Sequence, residues 1–293
     1  MARVGFIGLG IMGTPMAANL VAAGHTVVGF SRRTASIEKA AERGVLSASS
    51  IKDVVEGSDF VITMLPDSPD VEKVLLGEDG VLAFATKEQV IIDMSTIRPD
   101  VARAIAQKAS ERGVAVLDAP VSGGEAGAIE GVLSIMVGGT AEAFNKANEV
   151  FAAMGKTIVH VGPAGSGQTV KAANQLMVAT NLQGLAEAVV FLEAHGVSVA
   201  PALEVLGGGL AGSTVLARKS KNMMTREFTP GFRMDLFHKD MGIVTSAARE
   251  AGVSLLVGSL VAQVIAAVVA QGGATLDQSS MITIVDKLSR PQD

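Results

Sequence analysis

Three glycines, Gly8, Gly10 and Gly13, follow the apolar run 4–7 and precede an apolar helical pattern over 16–23. A chain that turns this sharply from strand to helix has few folds open to it. Gly8 permits the tight turn, Gly10 lets a bulky anion reach the backbone, and Gly13 lets helix and strand pack closely. With Ile11 and Met12 the stretch spells G-x-G-x-x-G, and Pro15 falls in the first helical turn. The amides that open the helix then face the phosphates of a dinucleotide. A plain glycine turn is the competing reading, since the chain holds 33 Gly, and the strand–turn–helix context favours the phosphate cradle.

The pattern continues as an alternation. Strand-like runs at 26–30, 59–64, 90–93, 114–117, 133–137 and 157–161 alternate with helical stretches at 36–43, 101–112 and 141–154. Such alternation predicts a parallel sheet with crossover helices on both faces. It stops at Gly162-Pro163-Ala164-Gly165. From 166 to 195 the apolar spacing is helical without a strong breaker, which predicts a helix of about 45 Å. Helical patterns follow at 200–207, 213–224, 238–251, 255–271 and 278–288. The fold class is therefore α/β: a Rossmann-type doubly wound sheet over 1–162, a long joining helix, and an all-α domain over 163–293. The stretch 253–270 is the most membrane-like, but Ser254, Gly258, Ser259 and Gln263 interrupt it, which predicts a buried helix. The apolar helices exceed what one small domain needs to bury, which predicts a homodimer or homotetramer. No secretory pattern opens the sequence, so the expected location is the cytoplasm.

Charge narrows the ligands. Residues 1–162 carry 14 Lys and Arg against 19 Asp and Glu, and residues 163–293 carry ten of each. Nothing is basic enough for nucleic acid. At the end of the second strand, about 20 residues after the glycines, NAD enzymes place a carboxylate for the adenosine ribose. Here the stretch reads Phe30-Ser31-Arg32-Arg33-Thr34. Guanidiniums and hydroxyls suit a 2′-phosphate, so NADP is the expected cofactor, with NAD the alternative. Solvated arginines on a loop are the plainer reading of the same residues. Leu65 and Pro66 end the next strand, and Thr96 follows the one after; all three fall where a cofactor lies in such sheets.

The absent residues limit the chemistry. The chain has no Cys, Trp or Tyr. Thiolate nucleophiles, Cys-based zinc sites and a phenolic acid of the short-chain dehydrogenase kind are excluded. The four His are scattered singly and no metal-ligand spacing occurs, so no metal is expected. In Asp118-Ala119-Pro120-Val121-Ser122-Gly123-Gly124, the Ser122 hydroxyl and the Gly123 and Gly124 amides suit a carboxylate, or equally a simple turn. In the 162–174 stretch, Lys171 and Asn174 are three residues apart and share a helix face. Apart from His160, Lys171 is the one ionisable group between 160 and 183. A lysine on an apolar helix is costly unless paired or functional. It reads as a general acid with its pKa lowered by desolvation, or as a side chain reaching for solvent.

These motifs, in this order, resemble the β-hydroxyacid dehydrogenase family over the whole length. They are residues 5–13, Asp118–Gly124, Gly162–Asn174, and Lys239-Asp240. The resemblance implies a nicotinamide-dependent oxidoreductase with Lys171 as its catalytic lysine. It implies that Ser122, Gly123, Gly124 and Asn174 hold a small carboxylate-bearing aldehyde or alcohol. It also implies that Lys239, with Asp240 beside it, closes over the cofactor. Segments 208–216, 230–236 and 134–139 are most similar to members that reduce tartronate semialdehyde to glycerate. Sibling activities toward 3-hydroxyisobutyrate, succinic semialdehyde or glyoxylate are the alternatives. A non-catalytic NADP-binding protein and an imine reductase on a similar scaffold both expect another residue at Lys171. Ser31-Arg32-Arg33 is more basic than in the family's NAD-preferring members.

Overall fold

The computed structural model describes residues 1–289, in two compact units, Met1–Lys171 and a second beginning at Ala172. In the first, nine strands form one sheet. They are β1 (Arg3–Ile7), β2 (Thr26–Phe30), β3 (Leu46–Ser47), β4 (Phe60–Thr63), β5 (Val90–Asp93), β6 (Ala115–Asp118), β7 (Val121–Ser122), β8 (Leu133–Gly138) and β9 (Gly155–Gly162). The spatial order is β3-β2-β1-β4-β5-β6-β8-β7, with β9 beside β8. The first six are parallel, and chain order reverses between β1 and β4, the switch point at which such sheets bind ligands.

The all-parallel expectation needs a correction past β6. Strand β8 runs antiparallel to β6 and β7. After β7 the chain enters a short helix, and Gly131 ends it in the left-handed conformation (φ 68°), turning the chain back. Sequence also missed the small elements. The helices of this unit are α1 (Gly13–Ala22), α2 (Thr34–Ala41), α3 (Ile51–Val55), α4 (Ser68–Leu76), α5 (Val81–Phe84), α6 (Pro99–Ser110), α7 (Gly124–Glu130), α8 (Ala141–Lys146) and α9 (Asn148–Ala152). The single helix expected over 141–154 is two, broken where Ala147 leaves helical geometry (φ −89°, ψ 1°).

Alternating strand residues divide the core. Val4, Phe6, Phe60, Ile62, Val90 and Ile92 pack with Met16, Ala17 and Leu20 of α1 and Phe151 of α9. Ile7, Val61 and Ile91 face the other way, onto Val54, Leu75 and Ile105 of α3, α4 and α6. This period of two places helices on both faces.

Among the described residues, the second unit is built of helices. Helix α10 (Ser166–Ala194) starts in the first unit and contributes most of its length to the second. There it joins α11 (Val199–Gly208), α12 (Thr214–Thr225), α13 (Met234–Glu250), α14 (Leu256–Val268) and α15 (Ile282–Ser289). The core joins Leu182, Ala186 and Val189 of α10 to Phe237 and Met241 of α13, Ile265 of α14 and Ile282 of α15. The expectation that 253–270 is a buried helix fails on one side. Val261, Ile265 and Val268 are buried, but Leu256 is 87% and Leu260 66% exposed. By length and composition, Ser166–Ala194 and Leu256–Gly273 could each cross a membrane. Within α10, however, the polar Gln168, Lys171 and Gln175 are buried, as suits a protein core.

Candidate active site

The parallel registers align the carboxyl ends of five strands. Phe30, Ile7, Thr63, Asp93 and Asp118 are successive neighbours across the sheet. The segments leaving these residues therefore emerge along one edge. They carry Ser31-Arg32-Arg33, Gly8–Gly13, Leu65-Pro66, Thr96 and the stretch leading to Ser122, so these expected site residues are set out along that edge.

The glycine turn is tightly built on one side and open on the other. A Cβ on Gly13 would stand 1.9 Å from the Gly8 carbonyl oxygen, so only glycine allows this approach. A Cβ on Gly10 would meet nothing within 4 Å. No side chain caps the N-terminus of α1. An open backbone beside an uncapped helix start fits a pyrophosphate, which the positive end of the helix dipole favours. Ile11 is exposed, and Met12 is partly buried against the core. At the end of β2, the Ser31 hydroxyl accepts the Arg33 amide at 3.4 Å. Arg32 and Arg33 are exposed, and the Arg32 guanidinium lies 3.5 Å from Asp70 of α4. Asp70 escaped the sequence reading because its partner is far away in the chain.

The next two segments are held by hidden polar groups. The Leu65 amide donates to the buried Ser95 hydroxyl at 2.8 Å. Leu65 is partly buried, Pro66 exposed and Thr96 partly buried. Beneath them Asp93 is 2% exposed. One carboxylate oxygen accepts the Thr63 hydroxyl at 2.8 Å and the Ser95 amide at 3.2 Å. Its other oxygen is buried without a hydrogen-bond partner. Burial pushes the Asp93 carboxyl up to about 6, only partly offset by the Ser95 and Thr63 bonds.

Past β6, Asp118 is buried and caps α10. One oxygen accepts the Gly165 amide at 2.7 Å and the other the Gln168 amide at 2.9 Å. Burial raises the Asp118 pKa, and these amides oppose the rise. One turn into α10, Lys171 is 7% exposed and its ammonium donates to the Val121 carbonyl at 2.7 Å. That bond brings Lys171 to the segment carrying Ser122, Gly123 and Gly124. Gly123 precedes α7 at φ 142° and no side chain caps that helix. The predicted lysine and the predicted carboxylate-binding turn are thus neighbours.

In the second unit, Asn174 donates its amide to the Gln175 side-chain oxygen at 2.8 Å. Gln175 in turn donates to Asp240 at 2.5 Å, and the other Asp240 oxygen lies 2.9 Å from the Lys239 ammonium. The three residues expected here, Asn174, Lys239 and Asp240, form one chain through Gln175. Sequence reasoning missed Gln175, Gln168 and Asp93. A buried glutamine beside Asn174 on an apolar helix was the available signal for the first.

Known proteins resemble the chain along nearly its whole length. Residues 3–162 match the model described as the NAD binding domain of 6-phosphogluconate dehydrogenase. Residues 165–285 match the NAD-binding domain of NADP-dependent 3-hydroxyisobutyrate dehydrogenase. The chain is 38% identical to 2-hydroxy-3-oxopropionate reductase of Escherichia coli K12 over 291 residues, covering 98% of each. It is 39% identical to the NAD-dependent L-serine dehydrogenase of Pseudomonas aeruginosa over 298 residues, covering 99% of each. A solved 3-hydroxyisobutyrate dehydrogenase of Mycobacterium tuberculosis with L-serine superposes at a TM-score of 0.89 and 35% identity. That match covers 97% of this chain and 99% of the other.

Proposed function

The chain belongs to the β-hydroxyacid dehydrogenase family of nicotinamide-dependent oxidoreductases, and we propose that it reduces tartronate semialdehyde (2-hydroxy-3-oxopropanoate) to glycerate. The observation that carries the chemistry is the buried Lys171, bonded to the carbonyl beside Ser122. The names of the relatives share a chemical feature, a hydroxyl or carbonyl one carbon removed from the carbon bearing a carboxylate. The choice of substrate rests on segments 208–216, 230–236 and 134–139, since overall identity does not separate the reductase from the serine dehydrogenase.

In this reading Ser122 and the Gly123 and Gly124 amides hold the substrate carboxylate, and Asn174 holds the C2 hydroxyl. Lys171, as ammonium, donates a hydrogen bond to the C3 aldehyde oxygen. A nicotinamide dinucleotide held through its phosphates at the Gly8–Gly13 turn would supply the hydride that C3 receives. As negative charge grows on the oxygen, Lys171 passes it a proton and becomes a neutral amine, later reprotonated from water. An ammonium has three donors, so the bond to Val121 orients the group without exhausting it. Lys239 and Asp240 act on the cofactor side, and Ser31, Arg32 and Arg33 favour NADPH over NADH. We place the enzyme in the cytoplasm as a homodimer or homotetramer, with the outward apolar residues of α14 facing another copy.

Lys171→Met should lower turnover by about 10³-fold, the middle of the range for a lost general acid, with NADPH affinity by fluorescence nearly intact. A panel of tartronate, succinic and methylmalonate semialdehydes and glyoxylate should place tartronate semialdehyde first in kcat/KM. A different acid in first place would overturn the substrate while leaving the role of Lys171 standing. Near-normal turnover of Lys171→Met would overturn the mechanism.

A further inference from the structure

Gln168 lies one helical turn before Lys171, is 1% exposed, and takes no direct part in the proton or hydride transfer. Both ends of its amide are used. Its oxygen accepts the Ile97 amide at 3.0 Å, and its nitrogen donates to the Ser95 carbonyl at 2.8 Å. Those two residues flank Thr96. Ser95 also holds the Leu65 amide through its hydroxyl, and its own amide donates to Asp93. The Gln168 backbone amide meanwhile binds Asp118, which also grips Gly165. A single planar side chain thus fastens the segments after β4 and β5 to the turn of α10 that bears Lys171.

This cross-brace joins the two halves of the reaction. Leu65 and Thr96 belong to the cofactor side, where the hydride originates, and Lys171 belongs to the proton side. A misplacement of about 1 Å between such groups can cost about 10²-fold in rate. An apolar side chain at 168 would fill the space but leave the Ser95 carbonyl and Ile97 amide buried without partners. We propose that Gln168 is a positioning residue that holds the Thr96 segment and Lys171 in a fixed relation for coupled hydride and proton transfer. The proposal rests on the reading of Lys171 as the proton donor.

The test uses the full chain with Gln168→Leu, Gln168→Glu, Lys171→Met and the double variant Gln168→Leu/Lys171→Met. Gln168→Leu should lower kcat by about 10²-fold while NADPH affinity, read by fluorescence, stays within about threefold. With deuterated NADPH its isotope effect on kcat should grow as hydride transfer becomes limiting. In the Lys171→Met background the same change should cost little more, because residues acting as a unit are non-additive. Gln168→Glu supplies a readout that a structural role would not move. As carboxylate it can accept from Ile97 but cannot donate to Ser95; protonated, it can do both. Its kcat relative to the wild type should therefore rise as pH falls from about 8 to about 5.5, a window above the ordinary Glu pKa because burial favours the neutral acid.

The proposal is overturned if Gln168→Leu keeps kcat within about threefold, the effect of a misplaced contact being far larger. It is also overturned if kcat and NADPH affinity fall together, or if the full loss recurs on Lys171→Met. Should Gln168→Leu not fold, a Gln168→Glu to wild-type ratio that is flat with pH overturns it. An inactive Lys171→Met beside a fully active Gln168→Leu removes this proposal alone. An active Lys171→Met removes the premise beneath it.

Discussion

Each unit buries a carboxylate where loops converge, and the two are handled in opposite ways. Asp93, in the first unit, receives a hydroxyl and an amide on one oxygen, while its other oxygen has no hydrogen-bond partner. Asp277, in the second, is fully buried and saturated. Lys219 reaches both oxygens at 2.8–3.0 Å, and the Gly231, Phe232 and Ser279 amides and the Ser279 hydroxyl fill the rest. Burial pushes both carboxyls up. For Asp93 nothing reverses it, so its pKa climbs to about 6. For Asp277, Lys219 and Ser279 overcome burial and hold it below the usual range. The second unit repeats this device elsewhere, with Arg226 joining Glu193 of α10 to Asp286 of α15. Helices that share only apolar faces are pinned in register by ion pairs. The sheet edge instead keeps a buried carboxyl whose pKa lies well above the usual carboxylate range.

The largest effect expected from this contrast is at Lys219. Lys219→Met leaves Asp277 buried without its cation, and breaking a buried pair costs about 3–5 kcal/mol. Urea unfolding of the full chain at pH 7 should show that loss. In the wild type, a depressed carboxyl contributes stability above its unfolded pKa and loses it as pH falls through the folded pKa. The gap between variant and wild type should therefore narrow as the solution is acidified toward pH 3, about where a carboxyl protonates. A gap independent of pH would mean that Lys219 acts through packing alone.

Asp93 has the opposite sign. Its folded pKa is raised, so its stabilising contribution is complete below the unfolded value of 3.8 and is lost as pH rises through about 6. A shift of about two units corresponds to about 3 kcal/mol between those limits. Asp93→Asn keeps the acceptor for Thr63 and Ser95 and cannot ionise. Relative to the wild type, its unfolding midpoint should improve steadily from about pH 4 to about pH 7. Parallel curves for the two proteins would show that Asp93 does not titrate in this window and would erase the contrast with Asp277.

Features encoded by neighbours in the chain were legible in the sequence, and features encoded by partners were not. The glycine turn, the long helix bearing Lys171 and the Asp118–Gly124 stretch are local patterns, and each stands where the sequence put it; the parallel strands of the alternation hold through β6. Helices α3, α4 and α5 were unread because segments of four to nine residues are too short for a periodicity to show. The reversal at β8 comes through a short helix set between positive-φ glycines, Gly123 and Gly124 at its start and Gly131 at its end. Gln168, Asp93 and Asp277 reach partners 30 to 73 residues away, so nothing in their immediate sequence marks them. Helix α14 shows a further limit. An apolar stretch looks the same whether its own chain covers it, as at Val261 and Ile265, or leaves it outward, as at Leu256 and Leu260.

The smallest effect completes the series, since it concerns a charge pair that is mostly in water. The Arg32 guanidinium, 79% exposed, stands 3.5 Å from Asp70 at the start of α4. Exposed pairs contribute about 0–1 kcal/mol, so breaking this one should barely move stability. Its consequence lies in recognition. If Arg32 takes the 2′-phosphate of NADPH, Asp70 competes for the same guanidinium and repels the phosphate. Asp70→Asn should then raise kcat/KM for NADPH about two- to fivefold, within the range of such a pair, and leave NADH unchanged. The gain should shrink as salt is raised, because the charges are screened over about 8–10 Å at moderate ionic strength. Equal gains with both cofactors would place Arg32 away from the 2′ position. The proposed preference for NADPH would then have to rest on Ser31 and Arg33, where Arg33→Ala is the change that reads it.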